Sequence, residues 1–230
     1  MISKALFRFG FVFLACSIAC IKGNNTQAQP SWGVRVGLNA VSIMNYKVYQ
    51  DNEILSNTSY DNKNGYLIAG FARFKINRIF LQPEFAWNEY RRTCSFAFPI
   101  ENSNSHYPPI HLDIGSKVIN TNFLVGYNMV HDYPFLFGVY AGSSFFGTYR
   151  TDFSMESETS FSNTKLYLNY SSILGFSINI YQIYFDLRYE LSLPNSNLNL
   201  RDIPIFTEKY QDANIKKMEA ILSFSFGVMF

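Results

Sequence analysis

Between residues 183 and 193 two chemically different faces alternate along one extended segment. Tyr184, Asp186, Arg188, Glu190 and Ser192 fall on one side; Phe185, Leu187, Tyr189, Leu191 and Leu193 fall on the other. A two-residue period marks a β-strand. Three charges of alternating sign on one face do not suit the dry core of a sandwich. They do suit the inside of a closed sheet with a polar interior, whose greasy outside meets hydrocarbon.

The same pattern closes the chain. In 217–230, Ala220, Leu222, Phe224, Phe226, Val228 and Phe230 share one face, and Glu219, Ile221, Ser223, Ser225, Gly227 and Met229 the other. Segment 31–42 sets Trp32, Val34, Val36, Leu38 and Ala40 against Gly33, Arg35, Gly37 and Asn39. Segment 79–90 sets Leu81, Pro83, Phe85 and Trp87 against Gln82, Glu84, Ala86 and Asn88. Four further strands are predicted at 65–74, 112–129, 135–149 and 166–178. In the first of these, turning Arg73 inward also turns Phe71 inward.

The connections between these segments run long, short, long, short, long, short, long: 43–64, 75–78, 91–111, 130–134, 150–165, 179–182 and 194–216. Short turns on one side and long loops on the other follow when every span crosses the same membrane. The long connections are rich in Asn and Ser and read as solvated loops. An even strand number returns both termini to one side. The expectation is an all-β, closed antiparallel transmembrane barrel of about eight strands, with short periplasmic turns, long extracellular loops and both termini periplasmic.

Residues 1–28 read as a signal peptide and 29–230 as the barrel domain. Lys4 and Arg8 precede an uncharged run, Phe9 to Ile21, and Thr26-Gln27-Ala28 ends in a small residue. The run is shorter than the roughly 20 residues a spanning helix needs. A competing reading makes Ser17-Ile18-Ala19-Cys20 a lipidation site, with Ser in an unfavourable position. Removing the leader takes away three bases and turns the formal +2 into −1, so nothing recruits nucleic acid by net charge. Only Cys94 survives cleavage, which excludes a disulfide within the mature chain; it reads as an inert loop thiol.

A sheet in hydrocarbon must satisfy its backbone internally and therefore must close. About eight strands leave a lumen that side chains fill. The inward candidates Arg35, Arg73, Glu84, Asp186, Arg188, Glu190 and Glu219 then form a lumen charge network, expected to plug the barrel rather than line a path. With 18% aromatics and only 16% charged residues, Tyr66, Trp87, Tyr90, Tyr127, Tyr133, Tyr149, Tyr181 and Tyr184 are expected in interfacial girdles.

Gly33-Val-Arg-Val-Gly-Leu-Asn39, Phe71-Ala-Arg-Phe-Lys75, Leu81-Gln-Pro-Glu-Phe85 and Asp186-Leu-Arg-Tyr189 resemble the PorT-like outer-membrane β-barrel family of Bacteroidota. The resemblance implies a small barrel similar to OmpA and OmpX. It also implies that Phe224, Phe226, Val228 and Phe230 act as a C-terminal signal for the outer-membrane assembly machinery. The founding member serves the type IX secretion apparatus, so secretion-complex proteins are implied partners beside outer-membrane lipid and lipopolysaccharide.

For chemistry, the candidates are His106 and His111, with Ser103, Ser105, Glu101 and Asp113 nearby, as in a lipid A-modifying enzyme. Nothing in their spacing enforces a triad. His111 and Asp113 supply two metal ligands where three or four are needed, and His131 reads as a turn residue. No phosphate-cradling, zincin or paired-cysteine motif is present, so no metal or cofactor is expected. The expected function is a non-enzymatic envelope role of an outer-membrane barrel, in anchoring, adhesion or assembly through its loops.

Overall fold

A computed structural model describes residues 29–50, 53–54, 59–96, 110–130, 132, 134–155, 160–164, 166–192, 196–199 and 214–230. Eight long strands make up the body: β1 (Gln29–Gln50), β3 (Ser59–Ile76), β4 (Ile79–Phe96), β5 (Ile110–Val130), β6 (Phe135–Met155), β8 (Tyr167–Ile180), β9 (Ile183–Ser192) and β11 (Asn214–Met229). Three short strands, β2 (Glu53–Ile54), β7 (Ser160–Asn163) and β10 (Ser196–Asn199), pair with β1, β6 and β11 at the long-loop end.

Neighbouring long strands pair antiparallel in sequence order, and β11 pairs with β1 from Gly33↔Met229 to Tyr49↔Asn214. That last ladder closes the sheet. The result is a closed antiparallel eight-stranded barrel, with no helix among the described residues.

Faces follow the sequence phase. Trp32, Leu38 and Leu174 point outward and are about 60% exposed, while Arg35 and Asp186 on the opposite phase are 1–2% exposed. The interior is a layered core rather than a purely polar one. Phe71, Tyr184 and Met229 cluster at the turn end. Phe80, Leu124, Tyr140 and Ile173 lie deeper, and Val41, Tyr90, Val118, Phe146 and Ile221 lie towards the loops. Small residues make room for the rings: a Cβ at Gly126 would stand 2.2 Å from the Phe80 ring.

Several strands run past their expected ends. The loops predicted at 43–64 and 91–111 begin instead as continuing ladders of β1, β3, β4 and β5. About 9–11 residues cross a bilayer, and β1 has 22. Beyond the hydrocarbon no solvent enforces an apolar face, so Ser59 to Asn64 is polar on both phases yet still pairs as a strand. Cys94 is accordingly not a loop thiol: it points inward on β4 and is buried. Tyr90 and Tyr184 are not girdle residues either. Both share the phase of charged lumen residues and are buried inside, whereas Tyr66, Tyr127 and Tyr181 are exposed outside. Tyr133 and His131 lie outside the described residues, as does segment 1–28, expected to be a leader.

The short turns are tight. Asn77 and Tyr181 take positive φ, 56° and 55°, at the β3–β4 and β8–β9 connections.

Candidate functional site: the charged lumen

Four charged side chains from three strands meet in the middle of the barrel. Arg35 on β1 stands opposite Ala69 and Gly227, and Arg188 on β9 opposite Gly175 and Ser223. Asp186 stands opposite Ser177 and Ser225. Small neighbours on both sides let each long side chain lean across the lumen.

Glu84 on β4 receives both guanidinium groups. Arg35 donates from Nη2 to Oε1 at 2.7 Å and from Nε to Oε2 at 3.2 Å. Arg188 donates from Nη1 to Oε1 at 2.9 Å and from Nη2 to Oε2 at 3.1 Å. Asn122 Nδ2 adds a third donor at 2.7 Å. Asp186 Oδ1 accepts from Arg188 Nε at 2.9 Å and lies 3.4 Å from Arg35 Nη1; the Tyr140 and Tyr184 hydroxyls donate to its other oxygen. Two bases and two acids therefore neutralise each other with side chains at most 3% exposed. Buried charges are tolerated when paired and hydrogen-bonded in this way.

Arg73 sits nearer the turn end, with no carboxylate contact among the described residues. Its Nε donates to Gln82 Oε1 at 2.7 Å, its Nη2 to Ser177 and Tyr184 hydroxyls, and its guanidinium lies 4.2 Å above the Phe80 ring. Cation–π contact replaces the missing counter-charge. Tyr184 links this arginine to Asp186.

Towards the loop end, Glu219 pairs with Arg92, which also reaches Ser116 Oγ at 3.3 Å. Glu190 accepts from Ser171 Oγ. Arg92, Ser116, Glu190 and Glu219 line a cavity of about 40 Å³ together with Tyr90 and Phe146, which holds only a few waters. Arg92 is the lumen residue that the sequence reading missed. Its signal was present, because Asn88, Tyr90, Arg92 and Cys94 continue the inward phase of β4 past the expected strand end. With Arg92 included, the fully buried lumen charges among the described residues number four bases and four acids. The structure thus places all seven predicted network residues inside the barrel. It brings Arg35, Glu84, Asp186 and Arg188 into one quartet and leaves Arg73, Glu190 and the Glu219 pair apart.

The histidine candidates divide. His106 lies outside the described residues, with Glu101, Ser103 and Ser105. His111 on β5 faces Ser95 on β4 across the ladder, Nδ1 to Oγ at 2.6 Å. The acid that would orient it is engaged elsewhere: Asp113 accepts from Thr93 and from Lys63 Nζ at 2.9 Å. Among the described residues no third group orients this Ser–His pair as a triad would require. Among the described residues no cluster of three or more His, Cys, Asp or Glu could hold a metal. Phe224, Phe226, Val228 and Phe230 form an exposed outward stripe on β11 and its end.

A closed sheet, apolar outside and charged within, defines a membrane-spanning β-barrel of the small outer-membrane class. The chain belongs to the outer membrane protein beta-barrel domain family, which matches residues 27–197. No curated protein matches the sequence.

Among solved structures, OprG from Pseudomonas aeruginosa aligns at 11% identity and a TM-score of 0.49, over 88% of this chain and 97% of its own. Ail, the attachment invasion locus protein of Yersinia pestis, aligns at 14% identity and 0.41, over 88% and 99%. The outer membrane protease OmpT from Escherichia coli aligns at 9% and 0.46, over 91% and 99%.

Proposed function

We propose that this outer-membrane barrel is a non-enzymatic anchor. Its plugged lumen acts as a rigid post, and its long connections face outward for attachment, adhesion or assembly. The observation that carries this reading is the buried quartet of Arg35, Glu84, Asp186 and Arg188, which fills the cross-section where a solute path would run. Both termini then lie in the periplasm, beside the short turns at Asn77 and Tyr181. Outer-membrane lipid and lipopolysaccharide surround the apolar face, and the exposed stripe ending at Phe230 suits recognition by the assembly machinery. The Leu81-Gln-Pro-Glu-Phe85 motif supports a place in the PorT-like group.

Two measurements test it. Folded barrel in a planar lipid bilayer should give no discrete conductance steps; stable channels of wild-type protein would refute the plug. Protease added to intact cells should cut within 97–109 or 200–213 and spare the short turns. Cutting at the turns alone would invert the orientation.

A further inference from the structure

The outer face of β3 to β6 changes character within three residue rows. Ile68, Trp87 and Ile119 are register partners in an apolar row, and the Trp87 indole donates to the Tyr149 hydroxyl at 2.9 Å. The next row towards the loops reads Tyr66, Glu89, Lys117, Arg150; the one above it reads Lys63, Arg91, Gly115, Asp152. Rows on one face stand about 7 Å apart. Immediately above the aromatic boundary, then, lie four bases and two acids.

Two of these register pairs are like-charged: Lys63↔Arg91 and Lys117↔Arg150. Like charges directly opposite each other destabilise a ladder. The neighbouring acids compensate only in part. Glu89 accepts from Arg91 at 2.8 Å, Asp152 from Arg150 at 2.8 Å, and Asp113, one row further out, from Lys63. Lys117 stands opposite Glu89 across the β4–β5 ladder and is felt by Glu89 and Asp152, but among the described residues no carboxylate oxygen comes within salt-bridge distance of its ammonium. Both like-charged pairs also sit at register shifts, between Lys63 and Tyr66 and between Lys117 and Val118. Bulges of this kind re-aim side chains near functional sites. Among the described residues next to β6, Leu166, Leu168 and Tyr170 are exposed and carry no charge.

We propose that a phosphate of the lipid A headgroup docks between Lys117 and Arg150, with Lys63 and Arg91 at its edge. The height is right for a headgroup above an aromatic girdle, and an anion between Lys117 and Arg150 relieves the repulsion of that like-charged pair. Ammonium and guanidinium donors suit phosphate oxygens. The inference rests on the outward orientation of the long connections proposed above.

The test uses folded full barrel in detergent micelles, titrated with bisphosphorylated lipid A and with the same lipid enzymatically dephosphorylated, bound lipid being counted by native mass spectrometry. Wild-type protein should retain one lipid A and bind the dephosphorylated form at least about tenfold more weakly. Lys117→Gln with Arg150→Gln should lose about as much, and Arg78→Gln, at the other end, nothing. Lys117→Gln alone serves if the double variant fails to show heat-modifiable gel migration. Equal binding of both lipids, or of wild type and a folded variant, overturns the site while leaving the orientation standing. Loops cut only from the periplasmic side would remove both.

Discussion

Arg35 and Glu84, separated by 49 residues in sequence, meet across the barrel through two roughly parallel hydrogen bonds of 2.7 and 3.2 Å. Arg188 donates to the same two carboxylate oxygens. One acid thus holds β1, β4 and β9 together. None of these strands is adjacent to another in the sheet, so the contact braces the barrel's cross-section in a way that the backbone ladders do not.

Glu84→Ala should therefore be far more damaging than its size suggests. It strands two guanidinium groups beside a single remaining acid, Asp186. Breaking a buried pair from one side costs about 3–5 kcal/mol. Adding Arg35→Met should recover part of the loss, because Asp186 and Arg188 then balance. Urea unfolding in lipid vesicles, followed by tryptophan fluorescence, measures both. A double variant no more stable than the single would remove the bracing role.

Leu187 tests the opposite face one residue away. It points outward between Asp186 and Arg188, level with the quartet. Leu187→Arg should cost about 2–4 kcal/mol, the figure for a base near the bilayer midplane. A loss below about 1 kcal/mol would move this height of the barrel to an interface.

Glycines offer a paired test of lumen packing. A Cβ at Gly175 would stand 2.5 Å from the Tyr140 hydroxyl that donates to Asp186, whereas a Cβ at Gly70 would meet nothing within 4 Å. Gly175→Ala should cost about 1–3 kcal/mol through overpacking. Gly70→Ala should be neutral or mildly stabilising. The same unfolding assay decides, and equal effects would show that Tyr140 has room to yield.

Legibility in the sequence followed chemical contrast between faces. On β9 and β11, where charge or Ser alternates with Leu and Phe, the phase read from sequence is the phase of the structure. On β3 the contrast fails, because Phe71 and Arg73 both point inward. The interior accepts both, since Phe71 packs on Tyr184 and Arg73 stacks over Phe80. Tyr184 shows why residue type alone misleads: an aromatic near a strand end suits a girdle, but its shared phase with Asp186 and Arg188 places it inside. The Ser95–His111 contact was out of reach, because it depends on a pairing register between β4 and β5 that no local pattern encodes.

The closing seam gives the last prediction. Trp32 and Phe230 exchange two backbone hydrogen bonds, 3.0 and 2.7 Å, and their rings lie 4.8 Å apart on the outer surface. Phe230→Asp removes the ring contact and puts a charge on the outer face. Near an interface an outward charge costs only about 0–1 kcal/mol, and less for Asp than for a base. If Phe230 matters mainly for packing, membrane yield and unfolding midpoint should fall together and slightly. If it is read during assembly, yield of heat-modifiable barrel in the outer membrane should drop several-fold while protein refolded in vesicles keeps its midpoint. The exposed stripe of Phe224, Phe226, Val228 and Phe230 favours the second outcome, with Phe230→Tyr restoring yield. Unchanged yield for Phe230→Asp would leave the terminal aromatic no part in assembly.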